Sequence, residues 1–508
     1  MTLARGRVAL IAGVWLILLS GCAGKSTNTA SKSTSSSATT TATTDPPPEP
    51  GAERLQFKMG PISIAPGQNA IQYSGKSVPK PDVDGWIVRI APNLRRADGS
   101  VPAVDVIHLH HGVWLNESRK DNTAAVPERF FAAGEEKTIM QLPQGFGYQY
   151  NASDKWLINY MIHDLTPIPD QVFITYDIDF IPATSPAAQG IREAKPAWLD
   201  VQNGSVYPVF DALRGSGVNG VFTYPDDVPN AYGDGKPLNQ WVVPSDEVLV
   251  STAGHLHPGG LHDDLDVQRG GDSAHLFSSE AHYFEPAGAV SWDVAMTNTA
   301  PDWRVSLHAG DVLSVHTSYD TSTTSWYESM GIMVVWFADG TDGNNPFTTP
   351  VDQPGLLNHG HLPENDNHGG APNALPDPGS LPSGPPASQV NIQDFTYGAG
   401  DYSEGPADIP TVAPGGTITF DNLDAPTGVG IWHTITACSA PCNGSTGIAY
   451  PRADAPVQFD SGQLGAAGPP TSGELTWTTP ATLAPGTYSY FCRVHPFMRG
   501  AFRVVTSG

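Results

Sequence analysis

Short runs in which apolar and polar residues alternate recur along most of this chain, and stretches with helical periodicity are few. Alternation with a period of two is typical of strands that bury one face. Residues 412–420 and 483–490 repeat one design, in which a Pro-Gly turn leads into an alternating strand. Together with a composition rich in Gly, Pro, Thr and Val, the pattern predicts an all-β protein.

The chain has 508 residues, which is too long for a single compact core. The alternating pattern fills residues 55–345, stops in a Pro-, Gly- and Asn-rich stretch at residues 346–388, and resumes at residues 389–508. We therefore expect a long β-rich region, a linker and a C-terminal β domain.

Residues 1–21 have the features of a secretion signal, because Arg5 and Arg7 precede a short apolar stretch that ends in small residues. The ending Leu-Ser-Gly-Cys22 resembles a bacterial lipobox, in which the cysteine is lipidated and becomes the new N-terminus. The alternative is an ordinary signal peptide with an incidental cysteine. Residues 22–54, rich in Ser, Thr and Pro, are predicted to be a flexible tether. We expect an exported protein that is lipid-anchored to the bacterial cell envelope.

A Cys-x-x-His-x-x-Met motif, formed by Cys492, His495 and Met498, lies near the end of the chain, and His433 lies upstream. One thiolate, two imidazoles and one thioether form the ligand set of a mononuclear electron-transfer copper site. The motif Cys-x-x-His-Pro-Phe-Met-Arg-Gly resembles the cupredoxins, and within them the plastocyanin/amicyanin type. The resemblance implies that residues 389–508 form a Greek-key β-sandwich with one type 1 copper ion. The alternative is a buried structural Cys and His.

Of the four cysteines, Cys22 is assigned to lipid and Cys492 to copper, which leaves Cys438 and Cys442. These two lie close together in a chain predicted to be exported, so we expect a disulfide that pins the loop after His433. A second metal site that uses this pair is the weaker alternative.

Histidines are clustered in the long β-rich region, and none of the sixteen precedes position 108. The candidate ligands in this region are His108, His110, His111, His163, His255, His257 and Met330. A His-x-His motif in a strand places both imidazoles on one face, so that both can reach one ion. A thioether beside two imidazoles suits copper, because soft sulfur stabilises Cu(I). A single histidine would more often be a satisfied structural residue, but the clusters favour metal binding.

The order of these motifs resembles the copper type II monooxygenases, the family of peptidylglycine α-hydroxylating and dopamine β-monooxygenases. The resemblance rests on residues 59–73, the adjacent pair His110–His111, His163, the His255-Leu-His257 motif and residues 309–321. It implies two tandem β-sandwich domains, at residues 55–195 and 196–345, with two further copper ions.

The resemblance also assigns the ligands of these two ions. His110, His111 and His163 would hold an electron-storing ion in the first sandwich. His255, His257 and Met330 would hold the catalytic, oxygen-activating ion in the second.

Strand geometry leaves alternatives open for both ligand sets. His108 and His110 share a strand face, whereas the adjacent His110 and His111 need a twist or bulge to converge. His108 is therefore an alternative ligand for the first ion, and Met333 is the alternative to Met330.

One departure from the family changes the expected substrate. Ala253 and Gly254 stand where the amidating branch has an arginine that grips a peptide. Peptide amidation is therefore not implied, and we expect a small apolar substrate.

The expected function is O2-dependent hydroxylation of a C–H bond, with the blue-copper domain replacing or relaying a redox partner or small reductant. The alternative is a non-catalytic envelope protein that carries electrons or copper. Nitrite reduction and multicopper oxidation are excluded, because both need a His-Cys-His bridge and Cys492 has no adjacent histidine. The net charge of −25 argues against nucleic acid as a partner. In the linker, His359, His361 and His368 are expected to be incidental.

Overall fold

The computed structural model describes residues 46–506, apart from several short segments. The segments left out are residues 76, 105, 167, 206, 285–292, 323–324, 362–375, 426–430, 439–443, 446–450, 453–456, 468–470 and 496. Cys22, Cys442 and His368 lie outside the described residues, so the predicted lipidation and disulfide stay predictions. Residues 43–508 form one compact unit.

The all-β prediction is confirmed. The described residues contain no α-helix, and two short 3-10 helices, Pro186–Ala188 and Pro378–Ser380, accompany the strands. In this described part of the chain, no helix has the length and apolar character needed to cross a bilayer.

The first region consists of two sheets that pack around one core. One sheet has the strand order β1-β9-β3-β7-β10 with β6 beside β3, and the other has the order β2-β8-β4-β5. The strands are β1 (Glu53–Ile64), β2 (Ile71–Tyr73), β3 (Gly85–Arg95), β4 (Ile107–Lys120), β5 (Pro127–Gly134), β6 (Met140–Gln141), β7 (Phe146–Tyr150), β8 (Trp156–Asp164), β9 (Asp170–Pro182) and β10 (Arg192–Glu193).

Strand alternation explains how this region buries its core. In β9, every second residue from Val172 to Phe180 is almost fully buried, and those between are more exposed over most of the strand. Because successive side chains of a strand point to opposite faces, one face of the sheet is apolar and packs inward.

The second region is built on one large sheet. Its order is β11-β22-β15-β18-β17-β16-β20-β13, with β14, β19 and β23 pairing beside this path, and β12 pairs separately with β21. The strands are β11 (Lys195–Asp200), β12 (Phe210–Ala212), β13 (Val221–Tyr224), β14 (Gln240–Val242), β15 (Glu247–Leu256), β16 (Gly260–Arg269), β17 (Asp272–Tyr283), β18 (Val294–Asn298), β19 (Val305–Leu307), β20 (Val312–Asp320), β21 (Trp326–Ser329), β22 (Gly331–Asp339) and β23 (Leu356–Leu357).

The third region has a six-stranded sheet of order β24-β26-β34-β33-β28-β31, a three-stranded sheet of order β25-β27-β32, and the pair β29-β30. Its strands are β24 (Ser383–Pro386), β25 (Gln389–Ile392), β26 (Ile409–Val412), β27 (Thr419–Asn422), β28 (Thr436–Cys438), β29 (Gly444–Ser445), β30 (Pro451–Arg452), β31 (Val457–Asp460), β32 (Thr476–Thr478), β33 (Gly486–Phe491) and β34 (Arg499–Val504). Phe420 and Tyr490 join the two larger sheets, with ring centroids 5.1 Å apart.

The first and second regions share part of a core. Val248 and Val250 of β15 and Trp336 of β22 are buried in the same apolar cluster as the first region's strands. The Trp336 ring meets Tyr148 edge to face at 5.9 Å. The two regions therefore stabilise each other through apolar contact rather than through a linker alone.

The N-terminal part of the expected linker packs on the second region. Val351 is buried in that region's core and its carbonyl accepts a hydrogen bond from Trp303 Nε1 at 3.1 Å. Further along, β23 pairs with β18. The Pro- and Asn-rich composition did not indicate these contacts, because they depend on residues distant in sequence.

The shared core predicts that a change in the second region destabilises the first. We expect Trp336→Ala to lower the free energy of unfolding by about 3–5 kcal/mol, because it leaves a cavity between the two regions. Urea-induced unfolding measures this loss. As a control, Val242→Ala alters a side chain that is 60% exposed, and should change stability by about 0.5 kcal/mol at most. A first region that keeps its wild-type midpoint in Trp336→Ala would contradict the shared core.

Candidate metal centres

Strand pairing brings the C-terminal motif residues together. β33 ends at Phe491 and β34 begins at Arg499, so residues 492–498 form the connection between two paired strands. His433 is joined to Leu464 by an isolated bridge. The side chains of His433, Cys492, His495 and Met498 are all fully buried.

Three donor atoms of this motif face one another. Cys492 Sγ lies 3.9 Å from His433 Nδ1 and 3.6 Å from His495 Nδ1, and the two nitrogens are 3.0 Å apart. Metal bonds of about 2.0 Å to nitrogen and about 2.3 Å to sulfur, about 120° apart, separate such donors by about 3.5 to 3.7 Å. The donor triangle therefore fits a trigonal site for one soft metal ion.

The second nitrogen of each imidazole is held by a partner outside the triangle. His433 Nε2 lies 2.9 Å from Asp424 Oδ2, and His495 Nε2 lies 2.8 Å from the carbonyl oxygen of Gly67, in the first region. Each Nε2 donates its proton there, which leaves both Nδ1 lone pairs to face Cys492. Such outer partners fix the tautomer and the orientation of metal-binding histidines.

The ionisation of this site suits metal binding. Burial raises the pKa of the Cys492 thiol, but hydrogen bonding and charge from His433 outweigh it, so that the pKa is lowered overall. Burial lowers the pKa of His495 to about 4. The thiolate and the neutral imidazole, which are the ligand forms, are therefore both favoured.

A second cluster lies between β4 and β8. His108 pairs opposite His163 across these strands, and the register shifts between Leu109 and His111. The donor atoms of His108, His110 and His163 lie within 4.8 Å of one another, and the rings of His110 and His163 stack at 4.2 Å. His108 Nδ1 donates to the carbonyl of Val104 at 2.7 Å.

Two further residues extend this cluster on the side of His110. His257 lies 4.4 Å from His110 between ring centroids, and donor atoms of His110, Glu135 and His257 also lie within 4.8 Å of one another. The neighbouring carboxylate, Glu136 Oε2, lies 3.0 Å from His255 Nδ1. The adjacent acids Glu135 and Glu136, both almost fully buried, are functional candidates that the sequence reasoning missed.

The cluster is strongly desolvated. Burial, followed by the neighbouring imidazoles, lowers the pKa of His110, His163 and His257. Burial also raises the pKa of Glu135, and the charge of Glu136 adds to this effect. The two candidate clusters are close, because His495 Nε2 lies 2.8 Å from the carbonyl oxygen of Gly67 and the amide of Asp164, next to His163, donates to the carbonyl of Gln68 at 2.8 Å.

An observation on single atoms tests whether a metal fits here. In the described part of the chain, His163 Nε2 and His257 Nε2 are buried and have no hydrogen-bond partner. A buried polar atom without a partner is costly unless something binds it. Several neutral imidazoles and a carboxylate form a donor set that suits copper, so the residues fit a metal ion.

His111 lies apart from this cluster, in contrast to the expected ligand set. Its Nε2 lies 3.1 Å from Asn159 Oδ1, and it borders an apolar cavity of about 280 Å³ together with His255 and Met330. The structure therefore groups the alternative ligand, His108, with His110 and His163. The register shift lies at His110: His108 pairs with His163 and His111 pairs with Met161, which lie on one face of β8, so this shift rather than strand alternation separates His110 from His111.

The structure also divides the second expected set. His257 joins His110, whereas His255 and Met330 border the cavity. Met333 lies fully buried in the second region's core. In the linker, His359 bonds the carbonyl of Glu136 and His361 contacts Asp293.

No family model matches this chain, and no curated protein matches it. Among solved structures, a mutant amicyanin in its Cu(I) form aligns at 23% identity and a TM-score of 0.15, over 26% of this chain and 95% of that one. A copper-containing nitrite reductase from Thermus scotoductus SA-01 aligns at 15% identity and a TM-score of 0.15, over 53% and 59%. These scores are too low to define a shared fold, so the family resemblances stay predictions.

The hydrogen bond from His433 predicts an effect of Asp424 on the C-terminal site. Asp424→Asn replaces an acceptor oxygen by a donor group, and should weaken copper binding by about 10–100-fold because His433 loses its orientation. Competition with a copper chelator measures the affinity. Asp421→Asn, on β27, is the matched control and should bind copper like the wild type. Equal affinity in both variants would show that Asp424 does not orient His433.

The grouping of histidines predicts which single substitution removes an ion. We expect His108→Ala to lose one copper ion per chain, because His108 belongs to the donor triangle with His110 and His163. His111→Ala should keep that ion, because His111 is outside this donor triangle and its Nε2 lies 3.1 Å from Asn159 Oδ1. Metal analysis of the purified variants decides between them, with His308→Ala, which alters a half-exposed side chain, as the control. Loss of one copper ion in His111→Ala but not in His108→Ala would instead support the ligand set His110, His111 and His163 that the sequence resemblance implies.

Proposed function

We propose that this chain is a copper-binding redox protein that hydroxylates a small apolar substrate with O2, with electrons supplied through the C-terminal site. The observation that carries the proposal is the apolar cavity bordered by His111, His255 and Met330, next to the buried histidine cluster. Copper, when bound, would supply one-electron redox chemistry and the activation of O2.

The cavity has the properties of a binding site for a small molecule. Its volume is about 280 Å³, and its walls include Trp198 and Ile332. Tyr73 and Val126, which also line it, are 53% and 42% exposed, so the cavity opens to solvent on their side. Mostly apolar pockets with a few polar groups are typical of ligand sites.

The charged groups of the cavity support a neutral substrate. Arg129 is held by Asp121, with Nε 2.8 Å from Oδ2, and stacks over Trp198 at 4.7 Å. Asp200 accepts a hydrogen bond from the Gln202 amide at 2.7 Å. Because both ionic groups already have partners, neither is arranged to bind a substrate charge.

The chain's own residues would position the reaction and exclude water. Met330 and Ile332 bring apolar atoms to the cavity wall beside His255, whose ring is oriented by Glu136. A site with few competing water molecules favours reaction with the bound substrate over side reactions.

The position of the C-terminal site supports its proposed role as electron donor to the histidine cluster. His495 contacts the first region directly, through the carbonyl of Gly67. A linker alone would leave the C-terminal domain without a fixed position relative to the cluster. The contact supports a docked donor, for which no search through solution is needed.

We also propose that the protein acts outside the cytoplasm as a lipid-anchored envelope protein. The support is the N-terminal pattern that ends at Cys22. The rival function, a carrier of electrons or copper, does not require the substrate-sized cavity beside the histidines.

Two methionine variants test the hydroxylation directly. Met330→Leu should abolish hydroxylation of a small apolar substrate, because it removes the thioether beside His255. Met333→Leu conserves volume in the core, should cost less than about 1.5 kcal/mol of stability, and should keep the activity. Substrate-dependent O2 consumption and hydroxylated product measure the result. Copper-loaded, reduced wild type that consumes no O2 with any small apolar substrate would favour the carrier.

A further inference from the structure

We propose that the backbone from the Gly67 carbonyl to the Gln68 carbonyl is the electron path from the C-terminal site to the His163 cluster. The proposal rests on the proposed function, since it assumes that the two clusters exchange electrons. It goes further by naming the atoms that connect them.

The first step of the path is the hydrogen bond at His495. Its Nδ1 faces Cys492, and its Nε2 donates to the carbonyl oxygen of Gly67 at 2.8 Å. One ring therefore links the donor triangle to the backbone of the first region. His495 is fully buried, and its contact with the Gly67 carbonyl is a direct hydrogen bond.

The second step starts at the next peptide group along the chain, between Gln68 and Asn69. The carbonyl oxygen of Gln68 accepts a hydrogen bond from the amide of Asp164 at 2.8 Å. Asp164 is covalently bonded to His163, whose ring belongs to the cluster with His108 and His110. Two hydrogen bonds and a short stretch of backbone thus connect the two clusters without a jump through space.

The turn that carries this path is rigid. The Gly67 amide donates to the carbonyl of Thr166 at 2.9 Å, and the Ala65 amide donates to Gln68 Oε1 at 3.1 Å. Gln68 is almost fully buried. Gly67 has a φ of +60°, which favours glycine.

Close approach also requires glycine at position 67. A Cβ atom added there would lie 1.9 Å from Cε1 of Phe395. The Phe395 ring in turn meets the rings of His433 and His495 edge to face, at 5.7 and 5.2 Å. Phe395 therefore covers the donor triangle and packs against the start of the path.

Contacts on the second region hold the third region in this position. The Arg493 guanidinium lies 4.0 Å over the ring of Tyr327. Gln463 Nε2 donates to Glu328 Oε1 at 2.6 Å, and Tyr207 donates to the other oxygen of Glu328 at 2.9 Å. Neither contact involves the path, so the docked position does not depend on His495 alone.

The transfer balances as a one-electron exchange. An electron leaves the C-terminal site, whose copper is oxidised from Cu(I) to Cu(II), and reduces Cu(II) in the His163 cluster to Cu(I). No bond is broken and no proton is required along the two hydrogen bonds. An external one-electron donor, such as a reduced redox protein or small reductant, then reduces the C-terminal site again.

Gly67→Ala is the variant that tests the path. The added Cβ should push Phe395 away and lengthen the hydrogen bond from His495. Electron transfer should slow by more than an order of magnitude, because electronic coupling falls steeply with distance. The readout is the decay of the reduced C-terminal site after photoreduction of the full-length, copper-loaded protein, without substrate. Its blue absorption band reports whether the third region is folded.

Gly270→Ala is the matched control. Gly270 has a φ of +61°, like Gly67, but a Cβ atom there has open space around it. It introduces the same backbone strain without a clash, and should transfer electrons at the wild-type rate. Equal rates in Gly67→Ala and Gly270→Ala would overturn the path.

A double variant separates the clash from a general loss of folding. Phe395→Ala removes the atoms that the new Cβ meets, so Gly67→Ala with Phe395→Ala should recover most of the transfer rate relative to Phe395→Ala alone. A double variant as slow as Gly67→Ala would overturn the role of this contact. If wild-type protein itself shows no transfer between the sites, the proposed function fails rather than the path.

Discussion

The pairing of β4 with β8 is the constraint on which the histidine cluster depends. It sets His108 opposite His163, and the register shift after Leu109 turns His110 toward His163 and His111 toward the cavity. One strand thereby serves both the buried cluster and the cavity wall. The same strand, β8, ends at Asp164, whose amide donates the hydrogen bond to the Gln68 carbonyl on the proposed electron path.

Burial accounts for the chemistry that the site can perform. The imidazoles and Glu135 are removed from water, which favours their neutral forms, and among the described residues the Nε2 atoms of His163 and His257 are buried without a hydrogen-bond partner. A metal ion bound to these ring nitrogens would offset the cost of burying them better than the surrounding protein groups do. Phe395 of the third region packs against Gly67 of the first region, and its ring meets His495 at the C-terminal site.

Local pattern predicted those features that depend on residues close in sequence. The alternation of apolar residues predicted an all-β fold, and the Cys-x-x-His-x-x-Met spacing selected Cys492 and His495, whose donor atoms converge with that of His433. The ligands contributed by distant strands were harder to assign. His108 rather than His111 joins His110 and His163 because of the register of β4 on β8. His255 and His257 are separated because His255 contacts Glu136 whereas His257 contacts His110. No pattern in the sequence indicates that Gly67 meets His495, since more than four hundred residues separate them.

The central claim is that the C-terminal copper site and the copper site at His163 are connected through Gly67. The most direct test is a crystal structure of the copper-loaded protein, with the metal located by anomalous scattering at the copper absorption edge. We expect one copper ion among His433, Cys492 and His495, another among His108, His110 and His163, and His495 bonded to the Gly67 carbonyl. Copper at the C-terminal site alone, or a third region displaced from Gly67, would contradict the account.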